Sequence, residues 1–394
     1  MRIPRVVVVG AGPVGLTAAL VLARSGVPVT VLEAGDGLAA ESRASTFHPP
    51  SLEMLADLGV LAPLLDRGIT STTFQYRDRR TGPIADLDLS VLADDTAYPF
   101  RVQCEQSKLT PILLEALSAH PHAEVLFGQR VVGVDDLEGR PVVRTEAGRA
   151  FEAEWVIGAD GASSAVRKAT GAAFEGITYP ERFLVVSTRE DLEAALPGIA
   201  AVNYVFDPEE WLVLLRTPEH WRILFPTDPA SPDEVETDPA RVQSRLTGVA
   251  DLGRDWDLLH ASLYNVHQRV ADRFRTGRVL LIGDAAHVNN PLGGMGMNSG
   301  LHDAVLVARA LAPLIAHTGT VEELDAVLSA RREVATSYVK AVTHDNWERL
   351  RESDEAARQA YHDELRALCA DPVASRTYLR RTSMIDSLRP LSTP

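Results

Sequence analysis

The six residues "GAGPVG", Gly10 to Gly15, constrain the fold of this chain more than any other stretch because of what flanks them. A β-branched run, Val6 to Val9, precedes them, an apolar helical pattern follows, and "VPVTVLE" supplies a second apolar strand. This is a strand–turn–helix–strand unit of roughly thirty residues, the context in which a GxGxxG pattern predicts a dinucleotide site. The sequence therefore predicts a Rossmann-like α/β domain at its N-terminus.

The unit also predicts individual cofactor contacts. Three glycines have separate tasks: one permits the tight turn, one lets a pyrophosphate approach the backbone, and one allows close helix–strand packing. Glu33 ends the second strand, where a carboxylate accepts hydrogen bonds from both hydroxyls of an unphosphorylated ribose. From this unit alone, the cofactor could be either FAD or NAD. Its predicted cofactor-binding residues are Gly10, Gly12, Pro13, Val14, Gly15 and Glu33.

Composition narrows the class of partner and the compartment. The basic and then apolar N-terminus is similar to a signal peptide, but glycines and a proline interrupt the apolar run and favour a turn. A net charge of -15 disfavours nucleic acid and membrane surfaces as partners. Two distant cysteines without a CxxC pair argue against a disulfide framework or a zinc site. We therefore expect a cytoplasmic protein without a metal.

Two later segments each end an apolar strand with an aspartate. "EAEWVIGADGASSAVRKATG" does so at Asp160, which by itself fits an ordinary strand-to-turn junction. "GRVLLIGDAAHVNNPLGGMGMNSGLHDA" does so at Asp284, and its glycines after Pro291 lead into a helix predicted from about Met297 through Leu311. Such a helix N-terminus suits a flat or anionic group. Because the first helix already holds the phosphates, the second site indicates the far end of an extended cofactor.

In this order the three motifs resemble the FAD-dependent aromatic hydroxylases, the group A monooxygenases of the para-hydroxybenzoate hydroxylase type. "SRASTFHPPSLEMLADLG" and "QSKLTPIL" are weaker similarities to the same family. The resemblance implies an α/β fold with a Rossmann-like (GR2-type) FAD-binding domain, an inserted antiparallel β-sheet substrate domain and C-terminal helices. It implies an FAD-binding domain at residues 1–70, 98–171 and 269–349, a substrate domain at 71–97 and 172–268, and a helical segment at 350–394.

The resemblance also implies roles for individual residues. Arg43 would reach the FAD pyrophosphate, Gln106 would open a cofactor helix, Asp160 and Arg167 would belong to an FAD and NAD(P)H motif, and Asp284 would bind the ribityl chain. Backbone N–H groups of the third motif would face the pyrimidine end of the isoalloxazine, where negative charge develops on reduction. These groups belong to Gly294, Gly296, Met297 and Asn298, and for the Asn298 side chain a flavin contact and a helix-capping role are both open.

The implied reaction needs NADH or NADPH as a transient co-substrate, O2 and an aromatic, phenolic small molecule. Reduced FAD and O2 would give a C4a-hydroperoxide whose distal oxygen attacks the ring. The alternatives are epoxidation or Baeyer–Villiger oxygenation of a polyketide-like compound, and a flavin-binding protein without turnover. Halogenation is disfavoured because "HWRILFP" does not match the WxWxIP motif of halogenases with a similar scaffold.

Three residues are candidates for catalysis. A proton acceptor would raise the electron density of the substrate ring. His48 and His287 are both possible acceptors, although the family histidine at His287 is mainly structural. The backbone carbonyl of Pro291 is expected to line the substrate pocket beside the flavin.

The segment from residue 200 to 229 alternates apolar and polar residues, which predicts an antiparallel sheet over the flavin. Its candidate substrate contacts are Tyr204, Trp211, Arg216, Trp221 and Arg222; the alternative is that the aromatic residues are core and the arginines solvated. The charged amphipathic tail either covers the core or forms a dimer contact, so a monomer and a homodimer are both open.

Overall fold

The computed structural model describes residues 5–40 and 44–388. Within them the strands are β1 (Val6–Val9), β2 (Val29–Leu32), β3 (Thr46–Phe47), β4 (Ile69–Ser71), β5 (Thr73–Asp78), β6 (Gly82–Asp88), β7 (Arg101–Gln103), β8 (Ala123–Leu126), β9 (Val131–Asp135), β10 (Val142–Thr145), β11 (Ala150–Glu152), β12 (Trp155–Gly158), β13 (Phe174–Thr188), β14 (Val202–Phe206), β15 (Leu212–Arg216), β16 (Trp221–Pro226), β17 (Leu258–Ala271), β18 (Arg275–Thr276), β19 (Val279–Leu281) and β20 (His287–Val288).

The helices are α1 (Pro13–Arg24), α2 (Pro49–Asp57), α3 (Leu61–Leu65), α4 (Gln106–Ser118), α5 (Ala165–Thr170), α6 (Leu192–Ala195), α7 (Asp233–Glu236), α8 (Pro239–Thr247), α9 (Met295–Ile315), α10 (Val321–Glu333), α11 (Lys340–Leu350), α12 (Glu355–Ala370) and α13 (Pro372–Thr382). A π-helical stretch, Val334–Val339, joins α10 to α11. Across residues 5–40 and 44–388, none of these helices has the length and apolar character needed to cross a bilayer.

A six-stranded sheet in the order β18-β19-β12-β1-β2-β8 forms the centre of the first part of the molecule. All its pairings are parallel except that of β18 with β19. The strands that precede the three sequence motifs, β1, β12 and β19, are neighbours in this sheet. Since parallel strands end at one edge, the three loops that follow them lie side by side.

An eight-stranded sheet, β20-β17-β13-β16-β15-β14-β5-β6, forms the second part of the molecule. It is antiparallel apart from the pairing of β14 with β5. Alternate side chains divide between two faces: Tyr204 and Val213 belong to one hydrophobic cluster, whereas Val205 and Leu212 belong to another. Helix α8 covers the second face through Val242 and Leu246.

The C-terminal helices cover the first face of the eight-stranded sheet. Leu365 of α12 and Leu379 of α13 lie in the same cluster as Tyr76 and Phe206. The Tyr76 and Tyr378 hydroxyls are 2.8 Å apart. Of the two alternatives left by the sequence, the structure shows the tail covering the core; a dimer contact is not tested by a single chain.

The predicted α/β class with C-terminal helices is confirmed. The antiparallel sheet takes its strands from 73–88 and 174–271, with one short addition at 287–288. The helix after the third motif begins at Met295, two residues earlier than predicted, and ends at Ile315 rather than Leu311. The early start follows from Gly294, whose positive φ of 66° turns the chain directly into the first helical residue.

Candidate functional site

The first motif forms the turn that its spacing predicts. Gly10 has φ 104°, and a Cβ there would meet the Ala159 carbonyl oxygen at 2.4 Å. A Cβ on Gly15 would meet the Gly10 carbonyl oxygen at 2.0 Å, so this position joins helix to strand. At Gly12, the residue before α1, a Cβ would meet no atom within 4 Å. The backbone at Gly12 is therefore open to a ligand.

A cavity of about 360 Å³ lies at this turn. Its walls include six of the predicted cofactor residues, Gly10, Gly12, Pro13, Glu33, Gln106 and Asp160. The positive end of the α1 dipole faces this space, which suits a pyrophosphate. The cavity therefore fits the adenosine diphosphate part of FAD, whereas Arg43 lies outside the described residues.

Glu33 is aimed into the cavity by two backbone donors. Its carboxylate oxygens accept from the N–H groups of Ala11 at 2.7 Å and Gly35 at 2.9 Å. Each carboxylate oxygen has a second lone pair, so both remain able to accept from a ribose. The ribose contact itself stays a prediction.

The second motif connects the cavity to the third motif. Asp160 accepts from Ser164 Oγ at 2.5 Å and from the Ala165 N–H at 2.7 Å, so it caps α5 while lining the cavity. Arg167 does not line that cavity. Its guanidinium donates to the carbonyl of Ala285 at 2.8 Å and lies 3.8 Å from the centre of the Phe174 ring. Arg167 therefore links the second motif to the third.

The third motif meets the first through close packing of α1 against α9. A Cβ on Gly300 would lie 2.6 Å from Val14 Cγ2, and Gly283, with φ 56°, also packs against Val14. The Val14 side chain is thus a packing contact, and Pro13 is the first residue of α1. Asp284 is exposed on the 3-10 turn Gly283–Ala285, although its two neighbours are buried. This position suits contact with the middle of an extended cofactor.

The loop before α9, residues 291–294, is called the flavin-end loop, and its backbone suits a flat ligand. Gly293 and Gly294 both have positive φ, and no side chain caps the helix. The first N–H groups of a helix lack intrahelical acceptors, so those of Met295, Gly296 and Met297 are available at this terminus. This donor set matches the pyrimidine end of a flavin, where charge develops on reduction.

The Asn298 side chain does not cap the helix, one of the two roles left open by the sequence. Its Oδ1 accepts from the His48 N–H at 2.9 Å, and its Nδ2 donates to the carbonyls of Thr46 at 2.8 Å and Gly294 at 2.7 Å. Asn298 is fully buried. It therefore clamps the chain at 46–48 onto the flavin-end loop, and the helix is capped instead by glycine.

The contacts of His287 engage its imidazole within the protein and do not suit it to proton transfer. Its Nε2 lies 2.7 Å from Asp303 Oδ2, while Asp303 Oδ1 accepts from Arg331 Nε at 2.7 Å and Oδ2 accepts from the Gly283 N–H at 3.1 Å. All three side chains are buried. Burial raises the pKa of Asp303, but His287 and Arg331 outweigh it and hold that pKa at about 2. These contacts favour a framework role for His287 over the catalytic role predicted for it.

His48 lies at the flavin-end loop. Its Nε2 donates to the Gly293 carbonyl at 2.8 Å, and its Nδ1 is buried without a partner. Burial, reinforced by the positive charge of Arg101, holds the pKa of His48 well below its usual value. His48 is therefore a neutral hydrogen-bonding group rather than a strong proton acceptor.

The sheet residues predicted to contact substrate divide between the two faces. Tyr204 and Trp211 belong to the cluster that also contains Leu292, next to Pro291. Arg222 alternates with residues of the opposite cluster, so it shares the face of Tyr204. Arg216 and Trp221 are a cross-strand pair on the far face, where Trp221 is core. The substrate-facing prediction is wrong for these last two, because strand parity turns them away from the loop.

Sequence reasoning missed the buried arginine of β7. Arg101, on β7, is 2% exposed, and its guanidinium lies 4.1 Å from the centre of the Phe74 ring. Burial raises the pKa of Tyr204, and Arg101 and the Gly293 backbone oppose that rise, so the Tyr204 hydroxyl lies near both. The available signal was an arginine between apolar residues in "YPFRVQ", just before the Gln106 helix. Burial of a strand arginine indicates a specific partner.

Several known proteins are similar to this chain in sequence and in structure. The family model "FAD binding domain" matches residues 4–342. Para-nitrophenol 4-monooxygenase from Pseudomonas sp. strain WBC-3 is 35% identical over 90% of this chain and 89% of its own. A 6-hydroxy-3-succinoylpyridine 3-monooxygenase from Pseudomonas putida is 36% identical over 88% of each chain. The crystal structure of p-nitrophenol 4-monooxygenase from Pseudomonas putida DLL-E4 superposes with a TM-score of 0.92, at 32% identity over 98% of this chain and 99% of that one.

Proposed function

This chain belongs to the FAD-dependent aromatic monooxygenases, and on that premise we propose its substrate class, its reductant and the roles of its site residues. The substrate is a single-ring phenol or hydroxypyridine with an electron-withdrawing substituent para to the hydroxyl. One oxygen atom of O2 is added at the para carbon. NADH or NADPH supplies the electrons.

The names of the relatives support this substrate class. Para-nitrophenol carries its nitro group para to the hydroxyl, and 6-hydroxy-3-succinoylpyridine carries its acyl group para to the hydroxyl. In each name the position of oxygenation, 4 or 3, is the carbon that bears the substituent. Both relatives match this chain along nearly their whole length, which favours a small phenol over the epoxidation or Baeyer–Villiger alternatives.

The observation that carries the proposal is the convergence of three elements on Gly293. The loop before α9, the β3 segment through His48 and the aromatic sheet face through Tyr204 all meet at this residue. A ring bound between the loop and the sheet would be enclosed by protein, because Leu292 and Tyr204 share one buried cluster. Exclusion of water from such a site strengthens electrostatic contacts within it.

FAD, when bound, supplies hydride acceptance and O2 activation, which no side chain supplies. The chain's own residues would hold and orient the cofactor. The α1 N-terminus and Glu33 would hold the adenosine diphosphate, Asp284 would hold the ribityl chain, and the α9 N-terminus would face the flavin ring. Asn298 holds the flavin-end loop, and the His287–Asp303–Arg331 network ties the Gly283 turn to α9.

A small phenol bound here places few demands on a protein base. His48 is neutral, and its depressed pKa makes it a poor acceptor of the phenolic proton. A para nitro group lowers the pKa of a phenol strongly by conjugation with the phenolate, so 4-nitrophenol is substantially ionised near neutral pH without a protein base. The ionised ring is also the electron-rich form that oxygenation requires.

The reductant binds without a domain of its own. The sequence contains a single strand-framed GxGxxG, and that unit forms the cavity assigned to FAD. NADH or NADPH would therefore bind transiently near the flavin end. The division of the chain into FAD, substrate and C-terminal segments, and a monomeric or homodimeric state, remain proposals as well.

The test is NADH and NADPH oxidation by the FAD-loaded protein across 4-nitrophenol, 4-hydroxybenzoate, 6-hydroxynicotinate and a cyclic ketone, with product mass and nitrite measured. For 4-nitrophenol, one O2, one NAD(P)H and one proton give 1,4-benzoquinone, nitrous acid, water and NAD(P)+. We expect stoichiometric nitrite from 4-nitrophenol or ring oxygenation of another para-substituted member. Peroxide alone from every phenol, or a lactone from the ketone, would overturn the proposed substrate class.

A further inference from the structure

Arg101 is a buried cation that the protein itself leaves without an anion. It is 2% exposed, and no described carboxylate forms a salt bridge with it. Its Nε has no hydrogen-bond partner, and its Nη2 reaches the Thr382 carbonyl only at 3.5 Å. Burial lowers the pKa of Arg101, opposed mainly by Tyr204, Tyr76 and Tyr378. An arginine so placed is costly unless an anion pairs with it.

A cluster of aromatic rings lies beside this cation. Its guanidinium lies over Phe74, and Phe74 is 5.9 Å from Tyr76 and 6.3 Å from Tyr204 between ring centres. Tyr76 and Tyr204 are 5.3 Å apart. Aromatic faces stabilise a cation without neutralising it. A cluster of rings beside a guanidinium suits a flat aromatic anion, which can contact the rings and pair with the guanidinium at the same time.

Strand register places Arg101 beside the flavin-end loop. Strands β3 and β7 pair Thr46 with Gln103 and Phe47 with Val102, so His48 comes opposite Arg101 on the same face. A Cβ on Gly294 would lie 3.1 Å from Thr46 Cβ and 3.6 Å from His48 Nε2, so this face packs on the loop. The Tyr204 hydroxyl lies near enough to Arg101 and to the Gly293 backbone for both to lower its pKa.

The same face carries further buried groups without partners. His48 Nδ1 and Gln103 Nε2 have none, and neither does Arg101 Nε. Buried polar atoms in proteins nearly always have partners, so three of them on β7 and on the residue that follows β3 point to a missing ligand. Two of the three, Arg101 Nε and Gln103 Nε2, are hydrogen-bond donors.

We propose that Arg101 is a specificity-determining residue that binds the phenolate oxygen of the substrate, so that the protein selects the ionised phenol. This inference rests on the proposed function. An ionised hydroxyl directed at Arg101 leaves the para carbon at the far side of the ring, and Tyr204 and the His48 strand keep the ring beside the flavin-end loop. Arginine is suited to such an oxygen because it stays charged when buried and presents several fixed donors.

The experiment measures binding to the oxidised, FAD-loaded protein by the change in flavin absorbance, with 4-nitrophenol and nitrobenzene as probes. Nitrobenzene keeps the nitro group and lacks the hydroxyl. Replacing Arg101 by Met should weaken 4-nitrophenol binding by about 30-fold or more, as expected for a buried charge pair, and change nitrobenzene binding less than about threefold. Arg101→Lys should restore part of the loss. Arg216→Met, a cation 5.7 Å from the Trp221 ring on the far face, is the matched control and should change neither.

A measurement on the unaltered protein keeps the proposal falsifiable if Arg101→Met does not fold. The apparent Kd for 4-nitrophenol should fall as pH rises through the pKa of the phenol and then level off, while that for nitrobenzene stays constant. Tighter binding of the neutral phenol would overturn the proposal, as would equal loss of both probes in Arg101→Met. If Arg101→Met lowers the flavin reduction potential and leaves phenol binding unchanged, the cation serves the reduced flavin and the proposal is wrong. Binding does not require turnover, so failure of the substrate-class proposal would appear separately, as the absence of oxygenated product.

Discussion

The adenosine end and the flavin end of this site are built in different ways. The adenosine end comes from one continuous stretch, β1 through Glu33, and depends on backbone shape at three glycines. The flavin end combines the chain at 46–48, β7, the 283–298 segment and Arg331, which are far apart in sequence. Its geometry depends on buried side chains, above all Asn298 and Asp303.

This difference predicts which properties mutations at each end should change. At the adenosine end a change alters local backbone space, and effects on folding and on FAD binding can be separated residue by residue. At the flavin end one buried side chain holds several segments, so its loss affects folding and site together. Four predictions test this contrast, beginning with the largest expected effect.

Asp303→Asn should lower the free energy of unfolding by about 3–5 kcal/mol, because it leaves buried Arg331 and His287 without their anion. Chemical denaturation with FAD present measures the effect. The pKa of Asp303, about 2 when folded, lies below its ordinary value of about 3.9. The pair's contribution is therefore present above about pH 4 and lost as pH falls toward 2. Equal acid sensitivity in Asp303→Asn and the unaltered protein would show that this network does not hold the flavin end.

Asp284→Ala should weaken FAD binding by about 10- to 100-fold, the loss expected for one hydrogen bond to a charged group. Because Asp284 is exposed, unfolding of the FAD-free protein should change by less than about 0.5 kcal/mol. FAD fluorescence titration and denaturation of the stripped protein give the two numbers. Asp255→Ala, another exposed aspartate, is the control. Unchanged FAD affinity would remove the ribityl role.

Gly15→Ala and Gly12→Ala should separate folding from binding at the adenosine end. A Cβ at Gly15 meets the Gly10 carbonyl at 2.0 Å, so Gly15→Ala should cost about 1–3 kcal/mol of unfolding free energy. At Gly12 the Cβ enters open space, so folding should be nearly unchanged while FAD affinity falls at least about tenfold. Thermal denaturation of the FAD-free variants and FAD titration decide it. Similar behaviour of the two variants would contradict the open approach at Gly12.

Tyr378→Phe should have the smallest effect. It removes the hydrogen bond to Tyr76, worth about 1 kcal/mol, from the contact between α13 and the sheet. We expect a slightly lower Tm and unchanged FAD affinity, measured by calorimetry and titration. A large loss of FAD would show that the C-terminal helices help to form the cofactor site.

The same contrast explains what the sequence could predict. The GAGPVG turn, its strands and the cavity at Glu33 follow from local spacing, because backbone sterics act over a few residues. Asn298 and His287 were found as motif members, but their partners, Thr46 and Asp303, depend on chain segments that meet only after folding. Arg101 was missed for the same reason: nothing in "YPFRVQ" shows that β7 pairs with β3 beside the loop. Strand parity likewise decided which of Arg216 and Arg222 faces the site.

The central claim is that this fold adds one oxygen atom of O2 to the para carbon of a phenol. The most direct measurement is product mass after reaction of the FAD-loaded protein with 4-nitrophenol, NAD(P)H and 18O2. We predict a product carrying one 18O atom at the former nitro position, with one nitrite released per NAD(P)H consumed. NAD(P)H oxidation with no 18O in any aromatic product, for this phenol and the other para-substituted members of the panel, would contradict the account.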